Sequence, residues 1–279
     1  MGWCEGKSVF ITGASAGIGA ALAREFARRG ARVALAARRL DRLAKVQEGI
    51  AAAGGDALAV QCDVTDRASL DRAVARAADA FGGLDVAVAN AGFGVSGPFE
   101  KLSTEDYRRQ FDTNVFGLMD TTYAVLPLLR QSKGRLALVS SVMGRVATPS
   151  TSAYCSSKFA VCGLAESLYY ELAERGVSVT CIEPGLVESD FRMTDNRGVY
   201  HEGLEDPATT WLVMPSDKAA RAMVRAIGRR RFEAIVTNHG KLIVFMNRHF
   251  PRTVRLLMRL ATKGRMARIE KRKRARPSS

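Results

Sequence analysis

Short β-branched runs alternate with helical stretches along this chain, which predicts an α/β protein: a doubly wound, seven-stranded parallel sheet with helices on both faces. Two local signals support that class. A glycine-rich turn, TGASAGIG, follows the first strand-like run, and a Tyr-x-x-x-Lys pair, Tyr154 and Lys158, falls in a late helical stretch. Sheets of this kind bind ligands at the carboxyl ends of their strands, so chemistry is expected in the loops there. With 279 residues and 47% hydrophobic content, the chain can bury one large core.

The first strand is expected at Ser8–Thr12, entering a helix over Ile18–Arg29 through the glycine turn. Further strands are predicted at Arg32–Ala36, Ala57–Gln61, Leu84–Ala89, Arg135–Ser140 and Ser178–Ile182. Helices are predicted between them at Leu40–Ala53, Ser69–Phe81, Thr104–Leu129 and Ala153–Glu174. A helix near Asp217–Gly228 leads to a last strand at Glu233–Thr237. The dinucleotide-binding and catalytic domain is therefore expected to span 1–240, with a basic helical extension over 241–279.

Charge divides the chain unevenly. Residues 1–217 carry 23 Lys/Arg against 26 Asp/Glu, whereas 218–279 carry 19 Lys/Arg and only two acids, Glu233 and Glu270. An acidic partner for the C-terminal part is expected: anionic lipid, an acidic protein or nucleic acid. Pro251 opens a helix with Arg252, Arg255, Arg259 and Lys263 on one face and Val254, Leu257, Met258 and Ala261 on another. That pattern suits an anionic membrane surface, or packing on the chain's own domain or a dimer partner. No aromatic residues interleave with the basic end KGRMARIEKRKRARPSS, which disfavours nucleic acid, and its composition suggests disorder. No apolar run reaches bilayer-spanning length, and MGWCEGKSVF has no signal-like apolar region. Cys4, Cys62, Cys155, Cys162 and Cys181 show no CxxC or metal spacing, and free buried thiols suit a cytoplasmic protein able to sit at a membrane surface.

Gly13, Gly17 and Gly19 have the spacing GxxxGxG. Glycines between a strand and a helix let the backbone approach a pyrophosphate at the helix N-terminus, which favours anions. The same stretch fits GxSxG, a hydrolase nucleophile elbow, which would make Ser15 a nucleophile needing an acid and one of His201, His239 or His249. That alternative leaves Tyr154 and Lys158 unexplained. At the end of the second strand, Ala37 stands where a carboxylate would grip the ribose of NAD, and Arg38 and Arg39 follow. Arginines there suit the 2′-phosphate of NADP, so NADP(H) is expected to be preferred over NAD(H).

Tyr154 and Lys158 lie four apart, hence on one helical face. A phenol titrates near ~10 in water, and a neighbouring cation lowers that value. A tyrosine so placed can give or take a proton in carbonyl chemistry.

TGASAGIG, Cys62–Val64, Ala89–Gly92, Asn114, Ser141, Tyr154–Lys158 and Glu183–Gly185 occur in the order found in the short-chain dehydrogenase/reductase family, which the chain resembles over roughly 7–240. Two details depart from the pattern: Ala89 where the family commonly has Asn, and Ser189 where it often has Thr. The resemblance implies Tyr154 as acid/base, Lys158 as its electrostatic partner and ribose ligand, and Ser141 as hydrogen-bond donor to the substrate oxygen. Asn114 would hold a water relaying protons to Lys158. Cofactor contacts are implied for Gly13, Ser15, Gly17, Ile18 and Gly19, for Asp63 and Val64, and for Asn90, Ala91 and Gly92. Pro184, Gly185, Val187 and Ser189 would lie along the nicotinamide. A homodimer or homotetramer is implied as well.

The loops beyond the strands supply Phe93, Phe99, Val142, Met143, Phe191, Met193, Trp211 and Met214, a soft apolar set suited to a lipophilic carbonyl or alcohol. A 3-oxoacyl-(acyl carrier protein) reductase is a second expectation. A non-catalytic NADP-binding scaffold is a third, and the intact Ser141, Tyr154, Lys158 and Asn114 argue against it.

Overall fold

Strands β1 (Ser8–Thr12), β2 (Arg32–Ala37), β3 (Asp56–Gln61), β4 (Val86–Ala89), β5 (Arg135–Val139), β6 (Ser178–Glu183) and β7 (Glu233–Ile235) form one sheet. Every pairing is parallel, and the order is 3-2-1-4-5-6-7. The computed structural model describes residues 2–189, 194–199 and 210–274, with the side chains of the last helix described as far as Lys263. All five residues of β1 are buried, as expected for a central parallel strand covered on both faces.

Helices α1 (Gly17–Arg28), α2 (Leu40–Ala52) and α7 (Ser216–Gly228) cover one face, packing Leu22, Phe26, Leu43 and Met223 on Val9 and Ile11. On the other face lie α3 (Arg67–Phe81), α4 (Thr104–Phe111), α5 (Gly117–Gln131) and α6 (Ser152–Ala173). There Leu70, Leu129 and Val161 pack on Phe10, Leu136 and Leu138. The order reverses between β1 and β4, which opens the crevice at their carboxyl ends.

Capping chemistry shifts several expected boundaries. Asp66 accepts hydrogen bonds from the N–H groups of Ala68 and Ser69, so α3 starts at Arg67, ahead of the expected Ser69. The helix expected over Thr104–Leu129 is interrupted by a π turn, Asp112–Phe116, centred on Asn114. Thr237 does not end the last strand. Its hydroxyl accepts from the Gly240 N–H and caps α8 (Asn238–His249).

Helix α9 (Pro251–Arg274) opens at Pro251 as expected. It runs helically through most of the end expected to be disordered, which is rich in the helix formers Arg, Lys, Met and Ala. Residues 275–279 lie outside the described residues. Val244 of α8 and Val254 of α9 pack with Val142 and Val146, and Ile243, Met246 and Met258 flank them. Leu257 and Ala261, expected on one apolar face with Val254 and Met258, are exposed, because α9 packs on the domain through the narrow i, i+4 ridge of Val254 and Met258. Among the described residues no helix is long and apolar enough to cross a membrane.

Candidate active site

A cleft of about 760 Å³ opens over the carboxyl ends of the strands. At its base Thr12 joins β1 to β4: its hydroxyl accepts from the N–H groups of Asn90 (3.0 Å) and Ala91 (3.1 Å). Asn90 returns its amide to the Thr12 carbonyl at 2.9 Å. Gly13 turns the chain with φ +68°, and a Cβ there would stand 2.9 Å from Ala91 Cα. A Cβ on Gly19 would stand 2.2 Å from the Gly13 carbonyl oxygen. Both positions therefore require glycine.

These features fit a dinucleotide. Helix α1 starts at Gly17 with no side chain capping its N–H groups and no acid in its first turn, leaving an anion site. Ser15, Ala16 and Ile18 line the cleft beside it, and Arg39 donates to Ser15 Oγ at 3.3 Å. Arg38 is exposed at the cleft wall next to the buried Ala37. Asp63, Val64, Ala91 and Gly92 line the adjoining wall. Among the described residues no hydrogen bond joins Ser15 to His239 or His249, and His201 lies outside the described residues.

Helix α6 presents Tyr154 and Lys158 to the same cleft, with Ser141 facing them from the end of β5. The Tyr154 hydroxyl is hydrogen-bonded to Ser141. Lys158 is 4% exposed and donates to the Val139 carbonyl at 2.9 Å, and its ammonium lies 5.8 Å from the centre of the Tyr154 ring. Burial pushes the phenol up to about 12, against the lowering effect of the Ser141 bond. Burial pushes Lys158 down to about 8. The phenol expected from sequence to be lowered is raised instead: desolvation is the largest influence on it, and the Lys158 ammonium bonds to a backbone carbonyl.

Asn114 is fully buried beneath the cleft wall. Its Oδ1 accepts from Phe93 N at 3.1 Å, and its Nδ2 donates to Phe93 O at 3.0 Å and Ser157 Oγ at 3.3 Å. Both amide N–H groups are engaged, so the side chain ties the π turn to the β4 loop and to α6.

Pro184, Gly185, Val187 and Ser189 run along the cleft after β6. The apolar wall is smaller than expected: Phe93, Val142 and Met143 line it, with Val95, Val146, Leu186 and Ile243 added. Phe99 and Trp211 are 76% and 79% exposed and do not line it. Met214 packs on the core and bridges Val187. Phe191 and Met193 lie outside the described residues.

Several contributors carried no sequence signal. Gln110 is fully buried and accepts from Val95 N at 2.6 Å while donating to Phe93 O at 2.7 Å. His239, at the start of α8, accepts the Leu186 N–H at 3.1 Å and anchors the loop after β6. Burial pushes this imidazole below its usual range. Behind Lys158, the ligating atoms of Cys162, Cys181 and Glu183 lie within 4.8 Å of one another, and Arg145 pairs with the Glu183 carboxylate at 2.9 Å. All five cysteines are free and buried.

A dinucleotide-shaped crevice beside a Ser-Tyr-Lys group defines an NAD(P)-dependent dehydrogenase/reductase. The short chain dehydrogenase profile matches residues 7–199, and the chain belongs to that family. It is 39% identical over 251 residues to oxidoreductase UcpA of Escherichia coli K12, covering 88% of this chain and 89% of that one. Among solved structures, it superposes on a short chain dehydrogenase/reductase of Burkholderia phymatum in complex with NAD with a TM-score of 0.81 and 26% identity, covering 91% and 96% of the two chains. An alcohol dehydrogenase of Thermococcus sibiricus complexed with 5-hydroxy-NADP gives a TM-score of 0.72 and 28% identity, covering 83% and 96%.

Proposed function

We propose that the protein is an NADP-preferring oxidoreductase that interconverts a lipophilic ketone or aldehyde with its alcohol, with Tyr154 as acid/base. The observation that carries this reading is the Tyr154–Ser141 hydrogen bond beside a buried Lys158, under an apolar wall. NADPH, when bound, supplies the hydride. Tyr154 gives its proton to the carbonyl oxygen, and Ser141 donates to that oxygen as charge develops on it. Lys158 places positive charge beneath the phenol as it loses its proton. Asn114 positions the tyrosine helix through Ser157. Alcohol oxidation would use the phenolate of the same residue as base.

The cofactor preference rests on Ala37 and the exposed Arg38, since no acid sits there to repel a 2′-phosphate. Exposed Phe116 at the end of the π turn and Tyr123 on α5, with Phe159 and Tyr170 on α6, support a homo-oligomer. The test is a panel of long- and short-chain aldehydes, ketones and 3-oxoacyl thioesters assayed with NADPH and NADH. Turnover of long apolar carbonyls with NADPH is expected. Selective use of acyl-carrier thioesters would move the reading to a 3-oxoacyl reductase, and no turnover with cofactor bound would move it to a scaffold.

A further inference from the structure

Helices α8 and α9 form a hairpin whose inner side is part of the cleft wall. Val142, Val146 and Ile243 line the cleft, and all three belong to the small core shared with Val244 and Val254. The outer side is apolar where a water-facing surface should be polar. On α9, Leu256, Leu257 and Leu260 are 56%, 58% and 55% exposed. On α8, Leu242 and Phe245 are 63% and 51% exposed, and Phe250 at the joint is 51% exposed. At 100° per residue, Leu256 and Leu260 lie on the side of α9 away from the Val254–Met258 ridge and Leu257 lies on its flank, so the helix's own packing leaves them uncovered.

Charge says what covers them. Arg252, Arg255, Arg259 and Lys263 are exposed along the strip beside the leucines, and Lys241 and Arg248 are exposed on α8. From Asn238 to Ser279 there are thirteen Lys/Arg and one acid, Glu270. A second copy docking through this face would set arginines against arginines. Nucleic acid would pair with the arginines and leave the leucines in water. An anionic bilayer satisfies both, with leucines in the acyl boundary and arginines among phosphates.

We infer that the α8–α9 hairpin docks the enzyme on an anionic phospholipid surface and sets the apolar wall of the cleft against it, so that a lipophilic substrate enters from the lipid. Docking stands on the hairpin's own geometry; delivery rests on the lipophilic-carbonyl reading above.

The full chain is floated with vesicles of phosphatidylcholine, alone or mixed with phosphatidylglycerol, without substrate. Wild type is expected on the anionic vesicles only, released by high salt. L256S/L257S/L260S should weaken partitioning by roughly 1000-fold, about tenfold per exposed leucine, with an unchanged thermal melt. R252Q/R255Q/R259Q should weaken it by roughly tenfold or more. Wild type that stays off anionic vesicles, or a leucine variant that floats equally well, would overturn the docking. So would a leucine variant whose oligomeric state changes in lipid-free buffer, since the leucines would then be a subunit interface. Delivery is read with NADPH and dodecanal dissolved in anionic vesicles: the leucine variant should lose rate there and keep it on a short, water-soluble aldehyde. Equal loss on both aldehydes overturns delivery. If no carbonyl is reduced, the functional reading fails while the flotation result stands.

Discussion

The two ends of the cleft are built by opposite means. At the β1–α1 end the wall is backbone: Gly13 and Gly19 stand where a Cβ would collide with Ala91 and the Gly13 carbonyl, and the N–H groups of α1 are left uncapped. At the α8 end the wall is side chain: Ile243, Val142 and Val146, backed by a basic hairpin with an apolar outer side. A backbone wall tolerates one residue type per position and recognises a shape common to all dinucleotides. A side-chain wall tolerates many apolar residues and sets which substrate enters. Tyr154, the proposed acid/base, stands between them.

The largest expected effect tests the junction. Tyr154→Phe should lower kcat about 10³-fold with NADPH affinity nearly unchanged, because only the proton donor is removed. Binding is read by cofactor fluorescence, and near-normal turnover would sink the mechanism. Next comes the backbone wall. Gly19→Ala should weaken NADPH and NADH binding alike, by on the order of 100-fold, since the new Cβ forces apart a 2.2 Å approach that has no flexible partner. A variant that binds cofactor normally would show that the turn is looser than its geometry.

Lys158 provides a pH test. Its pKa falls from 10.5 in the unfolded chain to about 8 in the fold, so between those values the unfolded state holds more protons and this group's contribution to stability rises with pH. Lys158→Met removes that slope. The cofactor-free variant should melt higher than wild type below pH 8, by at most about 3 kcal/mol less the lost Val139 hydrogen bond. The gap should close towards pH 10.5, and a gap that does not depend on pH would show that the ammonium is not desolvated. A smaller effect is expected at the cofactor rim, where Arg38→Ala should raise KM for NADPH roughly 10-fold and leave NADH unchanged if, as proposed, its guanidinium meets the 2′-phosphate. Equal changes for both cofactors would remove the stated preference.

What could be read in the sequence follows the same division. Gly13, Gly19, Ser141, Tyr154 and Lys158 are constrained in residue type and spacing, and the fold brings them to one cleft. The central strands were legible because buried parallel strands are continuous apolar runs, as in β1 and β4. The raised phenol was not legible, because desolvation depends on what packs around Tyr154. Gln110 and His239 were hidden because a buried amide and a surface glutamine look alike in sequence, and His239 acts through a backbone N–H 53 residues away. Phe99 and Trp211 were misplaced for the converse reason: large apolar residues near strand ends read as lining whether or not they face inward.

The smallest effect tests the side-chain wall directly. Ile243 lines the cleft from α8 while Leu242 and Phe245, its neighbours in sequence and turn, face outward. Ile243→Ala removes apolar surface from the substrate side only, about 1–2 kcal/mol of contact if a long chain lies against it. KM for a long-chain carbonyl should rise roughly 5- to 10-fold, with little change for a short carbonyl or for NADPH. An equal rise for short and long substrates would mean that α8 merely braces the loop after β6 through His239, as Gly19→Ala would disturb the opposite wall. A rise confined to long substrates assigns chain-length selection to the helix that also carries the outward leucine and phenylalanine.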